Sequence, residues 1–90
     1  MISKGRSNGT VRFSFVQDGA RKVQVAGDFN NWNPQSLRKQ KDGTFTINLE
    51  LAPGTYEYKF VIDGTWTVDP DNSAWALNPY GTLNSVAVIE

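Results

Sequence analysis

The stretch "TFTINLELAPGTYEYKFVIDGTW", Thr44 to Trp66, decides the fold. Its first half sets Phe45, Ile47, Leu49 and Leu51 on one parity and Thr44, Thr46, Asn48 and Glu50 on the other. This is the period-2 pattern of a strand with one face in a core and the other in water. Its second half repeats the pattern, with Tyr56, Tyr58, Phe60 and Ile62 set against Glu57, Lys59 and Val61. Between the halves, Pro53-Gly54 joins a fixed φ to a permissive one, so the two strands are expected to form an antiparallel hairpin. The stretch ends in Asp63-Gly64, and Asp42-Gly43 stands just ahead of it; this dipeptide is the strongest short hairpin signal, because both central positions of a type I′ turn need positive φ.

Working outward, "TVRFSFV" (Val11, Phe13, Phe15), "KVQVAG" (Val23, Val25), a short "TWTV" and the closing "SVAVI" (Val86, Val88) add further strands. No window sustains apolar residues at i, i+3, i+4 and i+7. About seven short antiparallel strands at roughly ten-residue spacing predict an all-β, immunoglobulin-like β-sandwich. The sandwich is expected over residues 10–90, with residues 1–9 as a flexible, solvated N-terminal tail.

Composition narrows the chemistry. A chain of 90 residues is one domain's worth and buries only about 60% of its unfolded surface. It has no cysteine and no histidine, which removes disulfides, thiol nucleophiles, Ser-His-Asp triads and nearly every zinc or copper site. Nine basic residues balance nine acidic ones, so no net field draws nucleic acid or an anionic membrane, and a neutral ligand fits best. No stretch reads as a signal peptide or reaches membrane-spanning length, and a cytoplasmic location is expected.

Two tryptophans resist assignment to the core. Trp32 stands in "GDFNNWNP", among Asn30, Asn31 and Asn33, and Trp66 follows the Asp63-Gly64 turn. Each is either a lid folded over one end of the sandwich or a platform for a ligand, since a loop tip offers an indole little to bury against. Lys59 lies on the solvent parity just upstream of Trp66, where its ammonium could give charge-assisted hydrogen bonds. Asp63, Asp69 and Asp71 raise the question of a glycosidase carboxylate pair, but Asp-Gly and Asp-Pro turns account for the first two. The calcium-loop reading of "DPDNSAWALNPY" fails, because Ala74 stands where glycine is needed and Tyr80 where a bidentate glutamate is needed.

Three ordered motifs, "VQVAGDFNNWNP", "GTYEYKFVIDGTWTVDP" and "NPYGTLNSVAVI", together resemble the glycogen-binding domain of the AMP-activated kinase β subunit and the related carbohydrate-binding module family 48. The resemblance implies an early-set immunoglobulin-like sandwich that binds α-1,4-linked glucan (glycogen, starch or a maltooligosaccharide) and does not cleave it. It implies that Trp32 and Trp66 stack on glucose rings and that Lys59 and Asn84 bond sugar hydroxyls. Thr82 would be a lesser contact, and Tyr80 falls at the loop position that reaches into the curve of the glucan. No cofactor or metal is implied. A kinase or a glucan-active enzyme is the expected protein partner, and the domain is expected to be a monomer or a weak homo-oligomer. The alternative is a regulatory docking domain with the same fold and no sugar binding.

Overall fold

The computed structural model describes residues 2–4 and 9–90. Among the described residues, ten strands follow in chain order: β1 (Ile2–Lys4), β2 (Thr10–Phe15), β3 (Val23–Gly27), β4 (Gln35–Ser36), β5 (Arg38–Lys39), β6 (Phe45–Glu50), β7 (Gly54–Ile62), β8 (Thr65–Thr67), β9 (Trp75–Leu77) and β10 (Leu83–Ile89). A 3-10 turn, Asp28–Asn30, follows β3. All pairing is antiparallel. The small sheet runs β1-β2-β6-β5; the large one runs β4-β3-β7-β10-β9, with β8 folded back on β7.

The core lies between the sheets. Val11, Phe13 and Phe15 of β2 and Phe45 of β6 face Val23 and Val25 of β3 and Tyr58, Phe60 and Ile62 of β7, and all are buried. Their rings interlock: Phe13 meets Tyr58 edge-on with centroids 5.2 Å apart, and Phe15 meets Phe60 at 5.1 Å. Such pairs add about 0.5–1.5 kcal/mol each beyond the area they bury. The alternation read from the sequence is the alternation seen in β2, β3 and β6, but in β10 it is reversed, since Ser85 and Ala87 face the core and Val88 is 67% exposed; the sandwich is immunoglobulin-like.

The hairpin expected across Pro53-Gly54 does not exist. β6 pairs with β2 and β5, whereas β7 pairs with β3, β10 and β8, so the connection crosses from one sheet to the other. The reason is burial: in separate sheets, the apolar faces of the two strands cover each other across the core, while a hairpin would leave both on one face of one sheet. Leu51 enters the core at the crossing and its N–H donates to the Gly9 carbonyl at 3.0 Å. Gly54, at φ 155, then makes a corner that a residue with a side chain rarely adopts.

The Asp63-Gly64 hairpin is as expected. Ile62 pairs with Thr65, leaving a two-residue loop in which Asp63 (φ 49) and Gly64 (φ 88) both take positive φ. At Asp42-Gly43 only Gly43 does, at φ 89. The Gly43 N–H donates to the Gln40 carbonyl and the Gln40 N–H to Thr44, giving a three-residue loop with a glycine bulge in place of the tighter turn.

The N-terminal tail is corrected at Ile2–Lys4, which pairs with β2 in the register Ile2↔Phe13. Ile2 packs against the core, and the strand satisfies an edge of β2 that would otherwise present unpaired backbone groups. Met1 and residues 5–8 lie outside the described residues, and so does the tail reading there.

Candidate functional site

The outer face of the large sheet carries the site. On β7, Tyr58 and Phe60 turn inward, so Glu57, Lys59 and Val61 turn outward. Trp66 of β8 pairs directly with Val61, and Asn84 of β10 lies along the same edge of β7, the edge opposite β3. Val61 is 4% exposed although its parity faces away from the core, in keeping with an indole lying across it. Trp66 itself remains 48% exposed. It therefore covers a strand on the sheet's outer face and does not close an end of the sandwich.

Trp32 reaches the same face from the loop after β3. Gly27 begins the excursion at a point of very close approach: a Cβ there would lie 2.5 Å from the Glu57 carbonyl oxygen and 2.8 Å from Tyr58 Cβ. Asn30 folds the loop on itself, its side chain accepting from the Gly27 N–H at 3.0 Å and donating to the Val25 carbonyl and to Gln35. Asn31 (φ 55) and Trp32 (φ 61) are both left-handed. For a tryptophan this is an uncommon backbone state, costing of order 1–3 kcal/mol, and it persists only where the surroundings fix it. Here they do: the Trp32 N–H donates to the Gly27 carbonyl at 2.9 Å and its indole Nε1 to Asp28 Oδ1 at 3.1 Å. The other Asp28 oxygen accepts from the Glu57 N–H at 2.8 Å, which ties the loop to β7.

The third wall is the loop before β10, and Asn78 builds it. Its Oδ1 accepts from the N–H groups of Tyr80 and Thr82, and its Nδ2 donates to Thr82 Oγ1 at 2.6 Å and to Asn84 Oδ1 at 3.0 Å. Lys59 Nζ donates to Thr82 Oγ1 at 3.1 Å and Asn84 Nδ2 to Glu57 Oε1 at 3.1 Å. A continuous hydrogen-bonded chain thus runs Lys59, Thr82, Asn78, Asn84, Glu57. Asn84 is 6% exposed, with one amide N–H and one carbonyl lone pair committed to neighbours, and Tyr80 is 91% exposed.

All six residues singled out from the sequence, Trp32, Lys59, Trp66, Tyr80, Thr82 and Asn84, line one groove of about 580 Å³. Asp28, Glu57, Asn78 and Pro79 complete the lining. The sequence reading missed the first three of these, because each has a local explanation: a turn acidic residue, a solvent-parity glutamate and an Asn-Pro turn. The available signal was the shared parity of Glu57 and Lys59. Trp75 stands apart, paired with Ser85 and so on the face opposite Asn84. A second hollow of about 640 Å³, beside the small sheet, is lined by Arg12, Arg38, Ile47 and polar neighbours and has no aromatic wall.

Two of the carboxylates that suggested a hydrolase, Asp63 and Asp69, have structural partners. Asp63 accepts from the N–H groups of Arg21 and Lys22, and Asp69 is fully buried, accepting from the Tyr58 hydroxyl at 2.7 Å and from the Asp71 N–H. Asn72 donates to that same hydroxyl, and Ser85 accepts from the Asp69 N–H. Burial, reinforced by the Asp69 carboxylate, pushes the Tyr58 phenol well above its ordinary value.

Residues 9–90 match the sequence pattern of the glycogen recognition site of AMP-activated protein kinase. The chain is 33% identical over 72 residues to the AMP-activated protein kinase subunit beta-1 of Sus scrofa, covering 80% of this chain and 57% of that sequence. It is 43% identical over 54 residues to Protein PTST homolog 2, chloroplastic, of Arabidopsis thaliana, covering 59% of this chain and 10% of that one. Among solved structures, the maltogenic amylase of S. marinus superposes with a TM-score of 0.76 at 29% identity, over 100% of this chain and 15% of the amylase. The chain thus spans one part of much longer relatives. The fold, the ordered motifs and the match over residues 9–90 place it in the family of the glycogen recognition site of AMP-activated protein kinase, a carbohydrate-binding module.

Proposed function

We propose that this domain binds α-1,4-linked glucan in the groove between Trp32 and Trp66 and does no chemistry on it. The observation that carries the reading is the convergence of both indoles, Lys59, Thr82 and Asn84 on one groove. A glucose ring has an apolar C–H face and a hydroxyl rim, so an exposed indole covers the face while ammonium and amide groups meet the rim. Lys59, already oriented by Thr82, offers its remaining N–H donors, and Asn84 its second amide N–H. Tyr80, at the mouth, adds a third aromatic surface.

Two stacking platforms and few hydrogen bonds imply modest affinity. Ordering a flexible oligosaccharide costs entropy, and one site is expected to give about −5 to −7 kcal/mol, roughly 10 to 200 μM. Such sites suit polymers, where many repeats multiply the encounters. In the longer chains that carry such domains, the module would hold a kinase or a glucan-active enzyme on its polysaccharide. Co-sedimentation with glycogen or granular starch tests this reading: the wild-type domain is expected in the pellet and a Trp32→Ala, Trp66→Ala double variant in the supernatant. Equal partition of the two would count against it.

A further inference from the structure

We propose that Glu57 is a direct, specificity-determining contact that accepts hydrogen bonds from the hydroxyls of a neutral glucan; this rests on the groove being the glucan site. Glu57 lies on the groove floor, half-buried, with Oε1 accepting from Asn84 Nδ2 at 3.1 Å. Its second carboxylate oxygen has no partner among the described residues. No buried side-chain oxygen among the described residues lacks a partner, so this oxygen is open to solvent and free to accept from a ligand hydroxyl that replaces water.

Lys59 is the next residue on the same face of β7, so the two side chains rise about 6.8 Å apart along the strand. An ammonium only donates and a carboxylate only accepts, whereas a sugar hydroxyl does both. The floor therefore presents one charged acceptor beside one charged donor, a pairing suited to adjacent hydroxyls that donate to Glu57 while accepting from Lys59. Charge-assisted hydrogen bonds of this kind are roughly twice as strong as neutral ones. The same arrangement discriminates against charge. Asp28 and Glu57 outnumber Lys59 in the lining, so a phosphate monoester on the bound segment would meet a net negative wall.

Calorimetric titration tests this with maltoheptaose, with maltotriose deoxygenated at one ring hydroxyl at a time, and with maltoheptaose carrying a phosphate monoester. Glu57→Gln keeps the size of the side chain and an oxygen to accept from Asn84. In the wild type, at least one deoxy analogue is expected to bind about tenfold more weakly than maltotriose, and in Glu57→Gln that penalty is expected to fall below about twofold. A role confined to holding Asn84 would leave the deoxy penalties unchanged, and that result overturns the proposal. So does Glu57→Gln binding maltoheptaose within about twofold of wild type. Should Glu57→Gln fail to fold, the wild type alone decides: phosphate-bearing maltoheptaose bound about tenfold more weakly than the neutral sugar supports the proposal, and equal affinity overturns it. Failure of the glucan reading itself looks different, since the wild type would then bind none of these sugars.

Discussion

Trp32 is held to Asp28 by an indole N–H donating to Oδ1 at 3.1 Å, while the other oxygen of the same carboxylate accepts from the Glu57 N–H at 2.8 Å. One side chain thereby fixes the plane of a binding platform and fastens its loop to the sheet. The arrangement answers why a tryptophan sits among asparagines: Asn30 folds the loop, Asn31 and Trp32 turn it left-handed, and Asp28 locks the indole toward the groove.

Asp28→Asn is the informative change at that site. An amide has one accepting oxygen, so either flip leaves an N–H facing the indole N–H or the Glu57 N–H. Glucan affinity is expected to fall about fivefold to tenfold, with a stability loss of about 1 kcal/mol. Near-UV circular dichroism reports the freed indole, and oligosaccharide titration reports the affinity.

Gly27→Ala is expected to destabilise the whole domain. The added Cβ meets backbone, the Glu57 carbonyl oxygen at 2.5 Å, so the strand β3 and the strand β7 must separate. A cost of about 3 kcal/mol corresponds to a fall in melting temperature of roughly 12 to 24 °C in a domain of this size. Thermal denaturation checks this.

Asn78→Ala is expected to loosen the loop over 78–82 while leaving the core intact. It removes four hydrogen bonds, two to backbone N–H groups and two to Thr82 and Asn84. The amides of Tyr80 and Thr82 should lose protection against hydrogen exchange, and glucan affinity should fall by about tenfold as Asn84 and Thr82, which orients Lys59, each lose a partner.

Tyr58 is expected to limit stability at alkaline pH. Burial disfavours its phenolate in the folded chain and not in the unfolded one, so its folded pKa is raised. The stability it contributes is present below the ordinary tyrosine value near 10 and is lost as pH rises above it. Phenolate absorbance from Tyr58 should therefore appear only together with unfolding. Tyr58→Phe should flatten the loss of stability above about pH 10, at a cost of about 1–3 kcal/mol at neutral pH, because buried Asp69 loses a donor.

Much of this was legible in the residues, and what was not has physical reasons. Alternation in β6 and β7 encodes which face is buried and says nothing of the partner strand, so Pro53-Gly54 read as a hairpin when it is a crossing between sheets. The strands β1, β4, β5 and β9 are two or three residues long, too short to show a period. At the site, Trp32 and Trp66 stood out because large apolar side chains did not fit their surroundings. Asp28, Glu57 and Asn78 did not stand out, because polar residues in turns and on solvent parity are ordinary until a fold brings them together.

The most direct measurement is tryptophan fluorescence during titration with maltoheptaose or β-cyclodextrin. The wild type is expected to show a saturable change with a midpoint of roughly 10 to 200 μM, weakened at least tenfold in Trp32→Ala and in Trp66→Ala. No change at millimolar sugar, or a response untouched by both substitutions, would contradict the assignment of the groove.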